Sequence, residues 1–71
     1  MPLNMATRNQ EVVINDILAQ GELRQKLLDM GFTKGAKLSI IQGGSAGSIM
    51  VKIRDSKIVL NASTAHKIRV A

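Results

Sequence analysis

Residues 27–41, LLDMGFTKGAKLSII, change their hydrophobic period in the middle. Up to Gly31 the spacing is helical. Leu23, Leu27 and Met30 stand at i, i+4 and i+7 with Leu28 beside them, while Arg24, Gln25, Lys26 and Asp29 take the wet side. After Gly35 the period is two: Leu38 and Ile40 face one way, Lys37 and Ser39 the other. So sharp a corner asks for backbone that most residues cannot supply. Gly31, placed after the last periodic residue and before a hydrophobe, reads as a left-handed helix cap with Phe32 folded back over Leu27. Thr33-Lys34-Gly35-Ala36 reads as a type II turn, Gly35 giving the positive φ at its third position. Neither glycine needs a ligand to explain it.

A chain of 71 residues is one domain at most, and it buries only about 60% of the surface its unfolded form exposes. With 45% hydrophobic residues it is globular rather than disordered, and its core must be aliphatic because Phe32 is the sole aromatic. The lack of cysteine excludes disulfides, thiolate metal sites and a cysteine nucleophile, and it fits a reducing cytoplasm. No apolar run approaches the roughly 18 residues of a membrane span. MPLNMATRNQ has no signal-like stretch, so residues 1–7 read as a flexible leader ahead of a single domain at 8–71.

Glu11 to Ile14 reads as a strand, Asn15-Asp16 as a bend, and Ile17 and Leu18 as a further buried contact. Gly21 is an acceptable N-cap, and Glu22 inside it suits the positive end of the helix dipole. Beyond the corner, GGSAGS (43–48) reads as a flexible link. Ile49, Val51 and Ile53 then alternate with Met50, Lys52 and Arg54, Asp55-Ser56 reads as a two-residue hairpin turn, and Ile58 to Leu60 returns as a strand. Asn61 to Ala65 forms a helical turn and Ile68 to Val70 the last strand. The expected fold is mainly β: a small antiparallel barrel of about five strands, with one short α-helix after the first strand and a helical turn before the last.

The same residues carry a family resemblance. RQKLLDMGFTKGAKLSII, SIMVKI and KIVLNASTAHKIRV resemble the FeoA family of ferrous iron transport proteins. Leu27, Leu28, Asp29, Gly31, Gly35, Ile49, Val51, Leu60, Ala65, Ile68 and Val70 fall on its pattern, from about residue 8 to the C-terminus. Met30 and Phe32 replace leucines, Lys34 stands where proline is usual, and the central loop is Gly/Ser rather than Pro/Asp. The resemblance implies an SH3-like barrel without enzymatic activity, acting in the cytoplasm as an accessory of the FeoB-type GTPase permease and near the inner membrane only through that partner. It also implies kinship with a C-terminal module of iron-dependent repressors, but a chain with a single helix cannot build their helix-turn-helix.

The residues themselves limit the chemistry. His66 is the only histidine, and with five scattered acids it offers no triad, no acid/base pair and no convergent ferrous-iron ligands, so neither catalysis, a metal site nor a cofactor is expected. Gly44-Ser45-Ala46-Gly47 is a GxxG, but strands flank it where a nucleic-acid clamp has helices. It is no Walker A loop either, so nucleotide binding is not expected. Charge is the remaining signal. Residues 1–33 hold three bases against four acids, whereas residues 34–71 hold seven bases against one acid. The strand half is therefore a cationic surface that attracts anionic partners. Lys37, Met50, Lys52, Arg54 and Lys57 are the expected partner-binding residues, and Leu27, Leu28, Gly31, Phe32 and Gly35 the structural motif. The bland account of the basic face is a solvated surface that deters edge pairing. The alternatives are a small nucleic-acid-binding barrel, disfavoured because no aromatic stacking platform is available, or an iron-responsive regulatory module.

Overall fold

Helix α1 spans Gly21–Asp29 in the computed structural model, which describes residues 1–71. It ends as its sequence dictates. The Phe32 N–H donates to the Leu27 carbonyl at 2.9 Å and the Gly31 N–H to the Leu28 carbonyl at 3.0 Å, with Gly31 at φ +102°. These are the paired bonds of a Schellman cap, and they satisfy two carbonyls that the helix would otherwise leave open. Leu27 and Phe32 are both fully buried in the one core. Ala36 N–H then donates to the Thr33 carbonyl at 3.0 Å around Gly35, whose φ is +87°. The corner is also tied down, because Ile14 exchanges backbone bonds with Gly35 (2.8 Å) and Ala36 (2.9 Å).

The helical stripe is narrower than its spacing predicts. Leu23 is half-buried, but Met30 is 39% exposed. Met30 is the C-cap residue, and the left-handed step after it brings Phe32 rather than Met30 into the core.

Five strands make one antiparallel sheet: β1 (Glu11–Ile17), β2 (Lys37–Gly43), β3 (Ile49–Ile53), β4 (Ser56–Leu60) and β5 (Ile68–Val70). Their order is β4-β3-β2-β1-β5. The fold is mainly β as expected, with α1 after the first strand and α2 (Ala62–His66) before the last. Asn61 caps α2, its side chain accepting the Thr64 N–H at 2.8 Å. Register shifts at Ile14/Asp16 in β1 and Ile40/Gln42 in β2 bend the sheet around its core.

Two local details differ from expectation. Asn15-Asp16 does not end the first strand but forms an irregularity inside it, and Leu18 beyond it is 53% exposed while Ile17 is buried. The β3–β4 turn is Arg54-Asp55, one residue earlier than the composition suggests, because Ile53 pairs with Ser56. Burial of Ile49, Val51, Ile53 and Leu60 sets that register, and Arg54 takes φ +54° to meet it.

The N-terminal segment is not a flexible leader. Leu3–Met5 forms a 3-10 turn, Leu3 and Ala6 are fully buried, and Pro2 bridges Arg69 of β5. Met1 and Val70 exchange bonds through the Met1 amino group (2.9 Å) and the Val70 N–H (2.8 Å). The physical reason is the barrel's need to cover the open edge of β5 and the end of the core beneath it. The domain accordingly begins before residue 8. The 43–48 loop is no free link either. Ser45 N–H donates to the Ala6 carbonyl at 3.4 Å and Ala46 N–H to the Asn4 carbonyl, so the loop closes over the N-terminal segment.

Candidate protein-docking face

Burial of Ile49, Val51 and Ile53 turns the intervening residues of β3 outward. Cross-strand register then builds two rows on the outer face. One is Ser39–Lys52–Lys57 and the other Gln42–Met50–Val59, each running across β2, β3 and β4. Lys52 and Lys57 are exposed and directly opposite each other, and neither enters any side-chain hydrogen bond in the molecule. Two like charges held side by side in this way cost stability, a fraction of a kcal/mol up to about 1 kcal/mol. In the second row Met50 is half-buried and Val59 is 64% exposed. A shallow depression opens there, lined by Gln42, Gly43, Ser48, Ile49, Met50 and Val59.

The five expected contact residues therefore divide. Met50, Lys52 and Lys57 share one patch. Lys37 lies outward on β2 two residues before Ser39, its backbone paired with Val13 of β1, and so borders the patch. Arg54 leaves it: from the turn its guanidinium stem lies against Gly31, Nε 3.3 Å from where a β-carbon on that glycine would stand. That position sets a cation at the C-terminal end of α1, where the helix carbonyls favour positive charge. The motif residues sit apart from the patch. Leu27 and Phe32 are core, Leu28 is half-buried, and Gly31 and Gly35 shape the corner. Val59 and Gln42 were not among the expected contacts. Alternation counted back from the buried Leu60 points Val59 outward, which is the signal that could have found it.

Other candidate chemistry does not converge. His66 is exposed at the end of α2, and no cluster of three or more His, Cys, Asp or Glu side chains forms. The GxxG loop spends its amides internally. Gly44 N–H donates to Ser48, Gly47 N–H to Gly44, and Ser45 and Ala46 to the N-terminal segment, leaving none turned toward a phosphate. No helix is long and apolar enough to cross a membrane.

The FeoA domain model matches residues 1–71. Among solved structures, iron(II) transport protein A from Clostridium thermocellum is 32% identical with a TM-score of 0.88, over 99% of this chain and 44% of that one. The chain thus spans less than half of that relative. A FeoA-like protein from Clostridium acetobutylicum is 26% identical with a TM-score of 0.82, covering 100% of this chain and 84% of the other. Stenotrophomonas maltophilia FeoA complexed with zinc, described as a prokaryotic SH3 domain protein, shares the fold at 20% identity and a TM-score of 0.87, covering 100% and 89%. No curated protein matches the chain.

Proposed function

The chain belongs to the FeoA family, a non-catalytic accessory family of ferrous iron transport with an SH3-like fold, and from that premise we propose that it regulates ferrous iron uptake by docking on the cytosolic part of a FeoB-type GTPase permease. The observation that carries the reading is the outer face of β2–β4. There an unpaired Lys52–Lys57 couple adjoins the partly exposed apolar pair Met50 and Val59. An apolar centre rimmed by charge is the composition of a protein-docking patch. Lys37 extends its basic rim, and Arg54 at the neighbouring turn joins the contact only where the partner reaches the corner. The site of action is the cytoplasm, at the inner membrane through the permease. The chain's own part is to bind and modulate; nucleotide and iron are handled by the partner.

Titration of isotope-labelled protein with the cognate cytosolic GTPase domain tests the proposal. Resonances of Met50, Lys52, Lys57 and Val59 are expected to move together at micromolar partner. A spectrum unchanged at high micromolar partner rules out docking on that domain. The cationic face also invites a nucleic-acid reading, and mixed oligonucleotides separate the two. Nucleic-acid binding would weaken steeply with salt, whereas the docking reading expects no oligonucleotide binding even at low salt.

A further inference from the structure

The two edges of the sheet are treated differently. The outer edge of β5 is covered, because Met1 and Pro2 pair with Val70 and Arg69. The outer edge of β4 is bare. Ile53 and Ser56 flank a two-residue turn, the position of the hydrogen-bonded pair that closes such a hairpin, and the register runs without a bulge through Lys52↔Lys57, Val51↔Ile58, Met50↔Val59 and Ile49↔Leu60. In an antiparallel pair bonded and non-bonded positions alternate. Lys57 and Val59 are therefore the non-bonded positions, with both their N–H and C=O groups turned away from β3. Neither residue appears in any backbone bond outside the ladder. A bare edge of this kind is a template for another strand.

We propose that β4 receives an extended, acidic segment of the partner protein as an added strand, its outward side chains carrying an aliphatic and a carboxylate residue two positions apart. The inference deepens the docking reading and rests on it for the partner, though not for the recognition chemistry. That chemistry follows from the two rows. A residue added opposite Val59 extends the row Gln42–Met50–Val59, where an aliphatic side chain covers Val59 and the adjoining depression. A residue added opposite Lys57 extends the row Ser39–Lys52–Lys57, where a carboxylate meets an ammonium that has no partner in this chain. Main-chain bonds from the edge supply affinity, and the alternating side chains supply specificity.

Charge also decides against the obvious competitor, a second copy. Pairing two β4 edges brings the lysines of one chain toward those of the other, on molecules of formal net charge +5. Lysine on an edge strand discourages that self-pairing. The same charge selects an acidic stranger.

The test uses a capped peptide, Thr-Val-Thr-Glu-Thr-Val-Thr-Glu, added to the labelled full chain. Such a strand presents valine and glutamate alternately on one face. Expected are shifts at Lys57 and Val59, slowed exchange of those two amides, and at least tenfold weaker binding when lysine replaces glutamate. V59P removes the outward N–H while sparing every ladder bond, so it should weaken binding at least tenfold, whereas V59A should cost only a few-fold. If V59P does not fold, peptides N-methylated at alternate residues, one for each set, replace it; loss of binding by one of them supports strand addition, and full binding by both overturns it. Absence of binding at millimolar peptide, or binding that leaves Lys57 and Val59 exchange unchanged, also overturns it. Run beside the GTPase-domain titration, the two ideas part company. A domain that binds V59P as well as wild type overturns strand addition and leaves docking standing. A peptide that binds this edge while the domain does not bind sinks docking alone.

Discussion

At the scale of single residues, the positions that most constrain this molecule are glycines held for different reasons. Gly31 and Gly35 both sit at positive φ, but around Gly35 there is open space, while Gly31 has the Arg54 stem 3.3 Å from a would-be β-carbon. Alanine at either position takes on the left-handed strain of roughly 1–2 kcal/mol, and the flexible Arg54 side chain gives way cheaply. Gly44 differs in kind. A β-carbon there would collide with the Ala6 carbonyl, a backbone atom that moves only if the N-terminal segment lifts. Urea unfolding should therefore rank the substitutions G35A, then G31A, then G44A as increasingly destabilising. G44A no worse than G35A would show that the loop does not rest on residues 4–6 as described. Asn61 offers a cleaner measurement. Its side chain accepts the Thr64 N–H at 2.8 Å, and N61A should cost about 1 kcal/mol, read as a lower urea midpoint with an unchanged m-value.

Among elements, the N-terminal segment carries the strongest prediction. Leu3 is fully buried in the same core as Leu27 and Ile68, so L3A should destabilise by roughly 2–5 kcal/mol, a large share of what a domain this small possesses. Amide exchange gives an independent readout, since Val70 N–H donates to Met1 and should be protected in the wild type and faster in L3A. A stability loss under about 0.5 kcal/mol, the range of a surface substitution, would return residues 1–7 to the status of a leader. The sequence reading missed this element for a physical reason. Leu3 and Ala6 are three residues apart in a stretch too short to announce an amphipathic element by its period. Their burial depends on an edge of β5 that exists only once the sheet has formed.

For the whole molecule, the decisive asymmetry is electrostatic and topological together. Seven bases against one acid fall in residues 34–71, and the sheet order places β4, with Lys57, at its open edge. Binding of an acidic partner should accordingly weaken as ionic strength rises from about 0.05 to 0.5 M, mainly through a slower association rate. Stopped-flow or surface-binding kinetics on the GTPase domain would check it, and a salt-independent association rate would remove charge from the account. Much of the fold was legible beforehand because its signals are local. The Leu23/Leu27 helical spacing, the Gly31 cap with Phe32, and the alternation at Leu38/Ile40 and Ile49/Val51/Ile53 each need only neighbours in the chain to be read. The same holds for Leu27, Leu28, Gly31 and Gly35 as the marks of the family. The patch was legible only in part. Lys52 and Lys57 could be named, but their direct apposition, the partnership of Met50 with Val59 and the diversion of Arg54 onto Gly31 depend on the β3–β4 register. Local sequence determined which residues of the strands turn inward and where the helix gives way to the sheet, because period and turn chemistry act over a few residues. Tertiary structure alone decided which strand edge is covered and which is left open, because that depends on segments distant in sequence, Met1–Pro2 and β5, meeting across the finished barrel.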